Sequence, residues 1–191
     1  MTIGKRLIGL VLKVGPLGEN DRLITLLSEQ EGVSRLAVPG ARRPKSKFAA
    51  ASPLTFLQLD VTGKTGLKKV RQVKVLKSYT KIGGRLENLA AAQAIAELAI
   101  MLAGTNDPQP ALLNTILIHL GRLENTNEEN NLIIFAQSVQ SLMHILAIGG
   151  YAIPVQSCCR SGLSLEPPIG QWDWRCSLLP DEGFAIGTFS N

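Results

Sequence analysis

Arg42, Arg43, Lys45 and Lys47 place four cations within six positions, with no acidic residue among them. Like charges this close repel, and a loop tolerates the repulsion where water screens it or a polyanion neutralises it. The chemistry on offer is phosphate binding, for which guanidinium and ammonium groups are matching donors. A second set lies at Lys68, Lys69, Arg71, Lys74 and Lys77, and Arg35 precedes both. If the two sets meet on one surface they form a wall of nine cations able to hold a sugar-phosphate chain. Aromatic residues nearby are few, only Phe48, Phe56 and Tyr79. Phosphate contact should therefore outweigh base stacking, and binding should depend little on base sequence. Taken alone, either cluster also has a blander reading, a solvated basic loop.

Other candidate chemistry is weaker. Gly63-Lys64-Thr65 looks like the end of a nucleotide-phosphate loop, but that motif needs glycine at position 58, where Gln58 stands, and a helix should follow. Strand-like sequence follows instead, so the segment reads as a hairpin turn. His119 and His144 fall on different helical stretches without a cysteine or carboxylate at ligand spacing, which makes them packing or surface residues. No serine sits in a GxSxG context, and catalysis is not expected. Cys158, Cys159 and Cys176 are the only thiols that could bind zinc. Adjacent cysteines serve one tetrahedron poorly, and Ser161 occupies the position that would complete CxxC from Cys158. Free or buried thiols are expected, with no cofactor.

Two regions of opposite charge must position these residues. Residues 1–80 carry 15 of the 20 Lys and Arg and 5 of the 15 Asp and Glu, so a net charge of +5 conceals a basic first part and an acidic remainder. Such asymmetry suggests a nucleic-acid-facing half joined to a half with another task. The basic part contains short β-like runs at 7–14, 22–28, 32–38, 54–61 and 67–79, separated by Gly-rich turns. Leu54 to Val61 alternates most clearly, with Leu57, Leu59 and Val61 on one face. This is the element count of a small, partly open barrel such as the OB-fold. From Arg85 the pattern becomes helical. Residues 85–103 are rich in Ala and Leu, Pro110 opens a second helix, and Thr126 and Glu129 have capping-box spacing before a third that ends at Gly149-Gly150. Residues 156–191 are turn-rich, with two Trp and the three Cys. The expected class is α+β and multidomain: an OB-fold over 1–80, a helical bundle over 81–155, and an irregular cysteine-bearing module over 156–191. Lys5-Arg6 and the following apolar run resemble a secretory leader, but Lys13 interrupts them. The apolar stretch 132–148 is broken by polar residues and reads as a buried helix, so a cytoplasmic protein without a membrane span is expected.

The segment VLKVGPLGENDRLITLLSEQEGVSRLAVPGARRPKSKF at 11–48 resembles the N-terminal domain of the RecO family of bacterial recombination mediators, through its G-E-x-D turn and G-A-R-R-x-K-S loop. AIGGYAIPVQSC at 147–158 resembles the family's passage into its cysteine module. The resemblance implies an OB-fold that binds single- and double-stranded DNA. It also implies partnership with RecR and with the acidic C-terminal tail of single-stranded-DNA-binding protein, annealing of complementary strands, and assistance to RecA on gapped DNA. The cysteines depart from the family's two CxxC pairs: Cys158 is kept, but Ser161-Gly162 replaces the second cysteine and its glycine. From the residues alone two alternatives stay open, an RNA-binding barrel and a non-catalytic scaffold with a basic, anion-binding half.

Overall fold

The computed structural model of the chain describes residues 4–63, 66–126 and 131–188. Five strands, β1 (Lys5–Leu17), β2 (Asp21–Ser28), β3 (Gly32–Val38), β4 (Thr55–Thr62) and β5 (Lys68–Ser78), form a closed barrel in the order β1-β2-β3-β5-β4. All neighbouring pairs are antiparallel except β3 and β5, which run parallel through Leu36–Lys68 and Ala37–Lys69. This is the OB-fold anticipated from the sequence. The long first strand makes closure possible. β1 pairs with β4 over Lys5–Leu10 and with β2 over Gly9–Leu17, bending at an irregularity between Val11 and Lys13. Gly9 lies where the two pairings overlap, and a Cβ there would stand 2.2 Å from the Leu27 carbonyl oxygen. The first run, expected to end at residue 14, continues through Gly15-Pro16 to Leu17, and the turn falls at 18–20.

Alternation fills the barrel. In β4, Thr55, Leu57, Leu59 and Val61 are buried while Phe56, Gln58, Asp60 and Thr62 are half-buried on the outer face. Leu7, Val11, Ile24, Leu26, Leu36 and Val38 join them inside. The β3–β4 loop inserts Ala41, Phe48 and Ala51 into the same core. Each buried Leu, Val or Phe side chain contributes roughly 1.5–3 kcal/mol, so this loop is held by its apolar residues.

A 3-10 turn at Thr80–Gly84 leads into α1 (Leu86–Leu102), α2 (Pro110–Asn125) and α3 (Asn131–Ile148). The barrel and helices share a second core. Leu10, Leu12, Leu27, Val33 and Leu54 from the barrel pack with Tyr79, Ile82, Ala92, Ile95, Leu113 and Ile116. The 81 boundary expected from the sequence coincides with the 3-10 turn, yet Met1–Gly150 is one compact unit and Tyr151–Asn191 a second. The proposed capping box at Thr126 and the hairpin at 63–66 include positions outside the described residues.

α3 corrects an expectation. It spans 18 residues with mean hydropathy 1.5, enough by length and composition to cross a membrane. Rather than being a buried helix, it buries only Ile134, Ser141 and Ile145, and leaves Leu132, Phe135 and Val139 exposed. α1 and α2 are the helices packed against it.

In the second unit, β6 (Cys176–Leu179) pairs antiparallel with β7 (Gly183–Ile186). The Cys158–Gly162 turn is tied to this hairpin by Cys159 N–H donating to the Phe184 carbonyl at 2.8 Å.

Candidate nucleic-acid interface

The β3–β4 loop carries its cations on a fixed frame. Gly40 N–H donates to Asp21 Oδ1 at 2.8 Å, and Arg42 N–H to the Asn20 carbonyl at 2.9 Å. Consecutive turns follow through Arg43 to Gly40, Ser46 to Arg43 and Ala49 to Ser46. With Phe48 wedged in the barrel, Arg42, Arg43, Lys45 and Lys47 are all left exposed. Lys45 has φ 57°, a left-handed conformation that costs a residue with a Cβ about 1 kcal/mol.

Loop and strand meet. Lys47 lines a shallow groove of about 380 Å³ together with Arg71 and Lys74 of β5 and Arg6 of β1. The register explains the meeting. Arg6 pairs across β1–β4 with Asp60, Asp60 pairs with Gln72, and Gln58 pairs with Lys74. These outward-facing side chains therefore form adjacent rows on one wall. Arg71 Nε donates to Thr62 Oγ1 at 3.0 Å, and Lys47 Nζ sits 5.0 Å from the Phe48 ring centroid. Among the described residues Asp60 is the one carboxylate in the lining, and it accepts from Arg6 Nε at 3.1 Å. Among the described residues no ion pair engages Lys47, Arg71 or Lys74.

The nine cations do not form one wall. Arg42 faces a different groove, of about 390 Å³, with Arg22 of β2, and its Nη1 donates to the Gly18 carbonyl at 3.1 Å. Arg35 and Lys69 are exposed on β3 and β5 outside the lining of either groove. Lys68 and Lys77 are committed within the fold. Lys68 donates to both carboxylate oxygens of Glu31, which also accepts from Lys5 Nζ at 2.7 Å. Burial works to raise the Glu31 carboxyl, but the hydrogen bonds and charges of Lys5 and Lys68 outweigh it and hold the group below the usual carboxylate range. Lys77 lies 3.5 Å from Glu124 of α2 and over the Tyr79 ring. Phe48 and Tyr79 are buried, so neither offers a face for stacking.

Sequence reasoning misses Arg6, Arg22 and Glu31. Arg6 reads there, with Lys5, as part of a leader-like start, and the strand pairing with Asp60 that gives it a role joins distant segments.

His119 and His144 are partners. His119 Nε2 and His144 Nδ1 are 3.1 Å apart with T-shaped rings, and His119 is buried. Burial, then the charges of Arg122 and His144, lower its pKa below the ordinary histidine value. In the second unit Cys158 is buried, and Cys159 and Cys176 are exposed. The Ser161 side chain and the backbone N–H groups of Ile186 and Ser161 lower the Cys158 thiol to about 6. Among the described residues no three His, Cys, Asp or Glu come together as metal ligands.

A model of the N-terminal domain of recombination protein O matches residues 1–79, and one of its C-terminal domain matches residues 84–188. The chain belongs to the RecO family. A protein named DNA repair protein RecO from Prochlorococcus marinus strain MIT 9303 is 62% identical over 186 residues, covering 96% of this chain and 70% of that protein. Its namesake from Synechococcus strain WH7803 is 59% identical over 194 residues, covering 100% of this chain and 72% of its own length. A more distant one, from Synechococcus elongatus, is 36% identical over 176 residues, covering 91% and 65%. The family's two domain models meet at the 3-10 turn, so the barrel with its grooves lies in the first and the helices and cysteine module in the second.

Proposed function

We propose that this chain is a DNA-binding mediator of recombinational DNA repair. The barrel holds single- and double-stranded DNA by its phosphates, lowers the repulsion between complementary strands, and so lets their bases pair. The observation that carries this reading is the groove where Lys47 meets Arg71 and Lys74, three cations with no carboxylate paired to them among the described residues. Arg6 supports them from β1, and Arg35, Arg42, Arg43, Lys45 and Lys69 add exposed positive charge around the barrel. The names of the relatives favour repair over other uses of a basic barrel. In this reading RecR and the acidic tail of single-stranded-DNA-binding protein are the protein partners, and RecA benefits as it replaces the single-strand binder. The setting is cytoplasmic, and no catalytic step, metal or cofactor is assigned.

Titration of labelled single-stranded DNA at several salt concentrations tests the reading. About five phosphate contacts give a slope of log affinity against log salt near −3.5. Affinity indifferent to salt, or RNA outcompeting DNA of the same sequence, would overturn it. Annealing of complementary strands coated with single-strand binder tests the mediator role.

A further inference from the structure

Among the described residues the two grooves share no lining residue, yet one loop supplies a cation to each. Lys47 serves the groove with Arg71 and Lys74, and Arg42 serves the groove with Arg22. Backbone hydrogen bonds and buried anchors hold the loop in the position that separates them. Arg42 is pinned at its backbone to Asn20, Gly40 to Asp21, and Ala41, Phe48 and Ala51 are locked in the barrel core. Five residue steps separate Arg42 from Lys47, so their Cα atoms lie at most about 18 Å apart. We infer that one barrel holds two DNA single strands at once, one in each groove, with the loop between them as divider.

The linings suit this division. The Lys47 groove is polar, with Gln58 and Gln72 beside its cations, and fits a phosphate track with hydrogen-bonded edges. The Arg42 groove is lined by Val14, Pro16 and Pro53 together with the side chains of Arg22 and Arg42. Guanidinium planes and apolar side chains accept unpaired bases and sugars, while the charge takes phosphate. Among the described residues no ion pair engages Arg22 or Arg42. On the divider itself, Arg43 and Lys45 are exposed. There they oppose the repulsion between two phosphate chains held side by side, the obstacle that annealing must overcome.

This inference rests on the DNA-binding reading, and the experiment separates the two. The full chain is mixed with two non-complementary oligonucleotides, one carrying a donor dye and one an acceptor, and strands per protein chain are counted by energy transfer and sedimentation. Two strands per chain are expected for the unmodified protein. The R22A/R42A and K47A/R71A/K74A variants, each checked for an unchanged unfolding midpoint, should each carry one strand and anneal complementary strands at least tenfold more slowly. R22K/R42K, which keeps the charge, should recover much of the annealing. One strand per unmodified chain, or two strands still bound by R22A/R42A, would overturn the two-groove arrangement while leaving DNA binding intact. No strand bound by the unmodified chain would overturn both.

Discussion

The ammonium of Lys68 on β5 donates to both oxygens of Glu31, with the Oε2 contact at 2.7 Å, and joins the β2–β3 turn to the strand that closes the barrel. Lys5 completes the bridge from β1. Glu31 thus ties three segments at the seam where parallel β3 and β5 share only two register pairs. Replacing it by Gln, which keeps the shape but not the charge, should destabilise the protein by about 1.5–3 kcal/mol, the range for hydrogen bonds to charged groups. Urea denaturation measures it. Because folding lowers this carboxyl's pKa, its contribution is complete above the ordinary carboxylate value and is lost as pH falls through the depressed one. E31Q should show correspondingly less acid sensitivity.

Lys45 separates charge from backbone strain. At φ 57° glycine is relieved of the Cβ clash that alanine keeps. K45G should therefore be more stable than K45A by about 1 kcal/mol, while both lose the same fraction of DNA affinity. Thermal melts beside binding titrations would reveal it, and equal melting points would mean the loop relaxes at that position.

The unpaired groove cations predict a charge count. The triple variant K47A/R71A/K74A should reduce the salt slope for single-stranded DNA by about 2, roughly 0.7 for each phosphate no longer neutralised. K68A should change it little, because that ammonium is held by Glu31. A K68A slope reduced as far as one groove cation's share would place Lys68 on the DNA path.

The histidine pair predicts a weakening of the helical bundle in mild acid. The fold lowers the His119 pKa, so its contribution is whole above about 6.5, the ordinary histidine value, and declines as pH falls toward the depressed one. A proton added to buried His119 would set a charge against the His144 ring, 3.1 Å away. The expected loss is at most about 1.4 kcal/mol per pH unit. Melting at pH 7.5, 6.5 and 5.5 detects it, and H119Q should flatten the dependence over that range.

Local pattern carried the elements. Period-two alternation placed β4, and Ala and Leu content with Pro110 located the first two helices. These signals depend on neighbours within a few residues, so the linear chain displays them. The concentration of cations in residues 1–80 was legible for the same reason.

The usable charge was settled in three dimensions. Lys68 and Lys74 read alike in sequence, yet Lys68 folds against Glu31 and Lys74 faces an open groove with Lys47. Arg42 and Lys47 belong to one run, but a loop anchored by Phe48 turns them into different grooves. Arg6, which resembled a leader charge, gained its place through pairing with Asp60 on β4. Composition determines how much charge a segment holds. Which charges are neutralised and which stand together depends on strand register and buried anchors, contacts between residues far apart in the chain that only the closed barrel brings together.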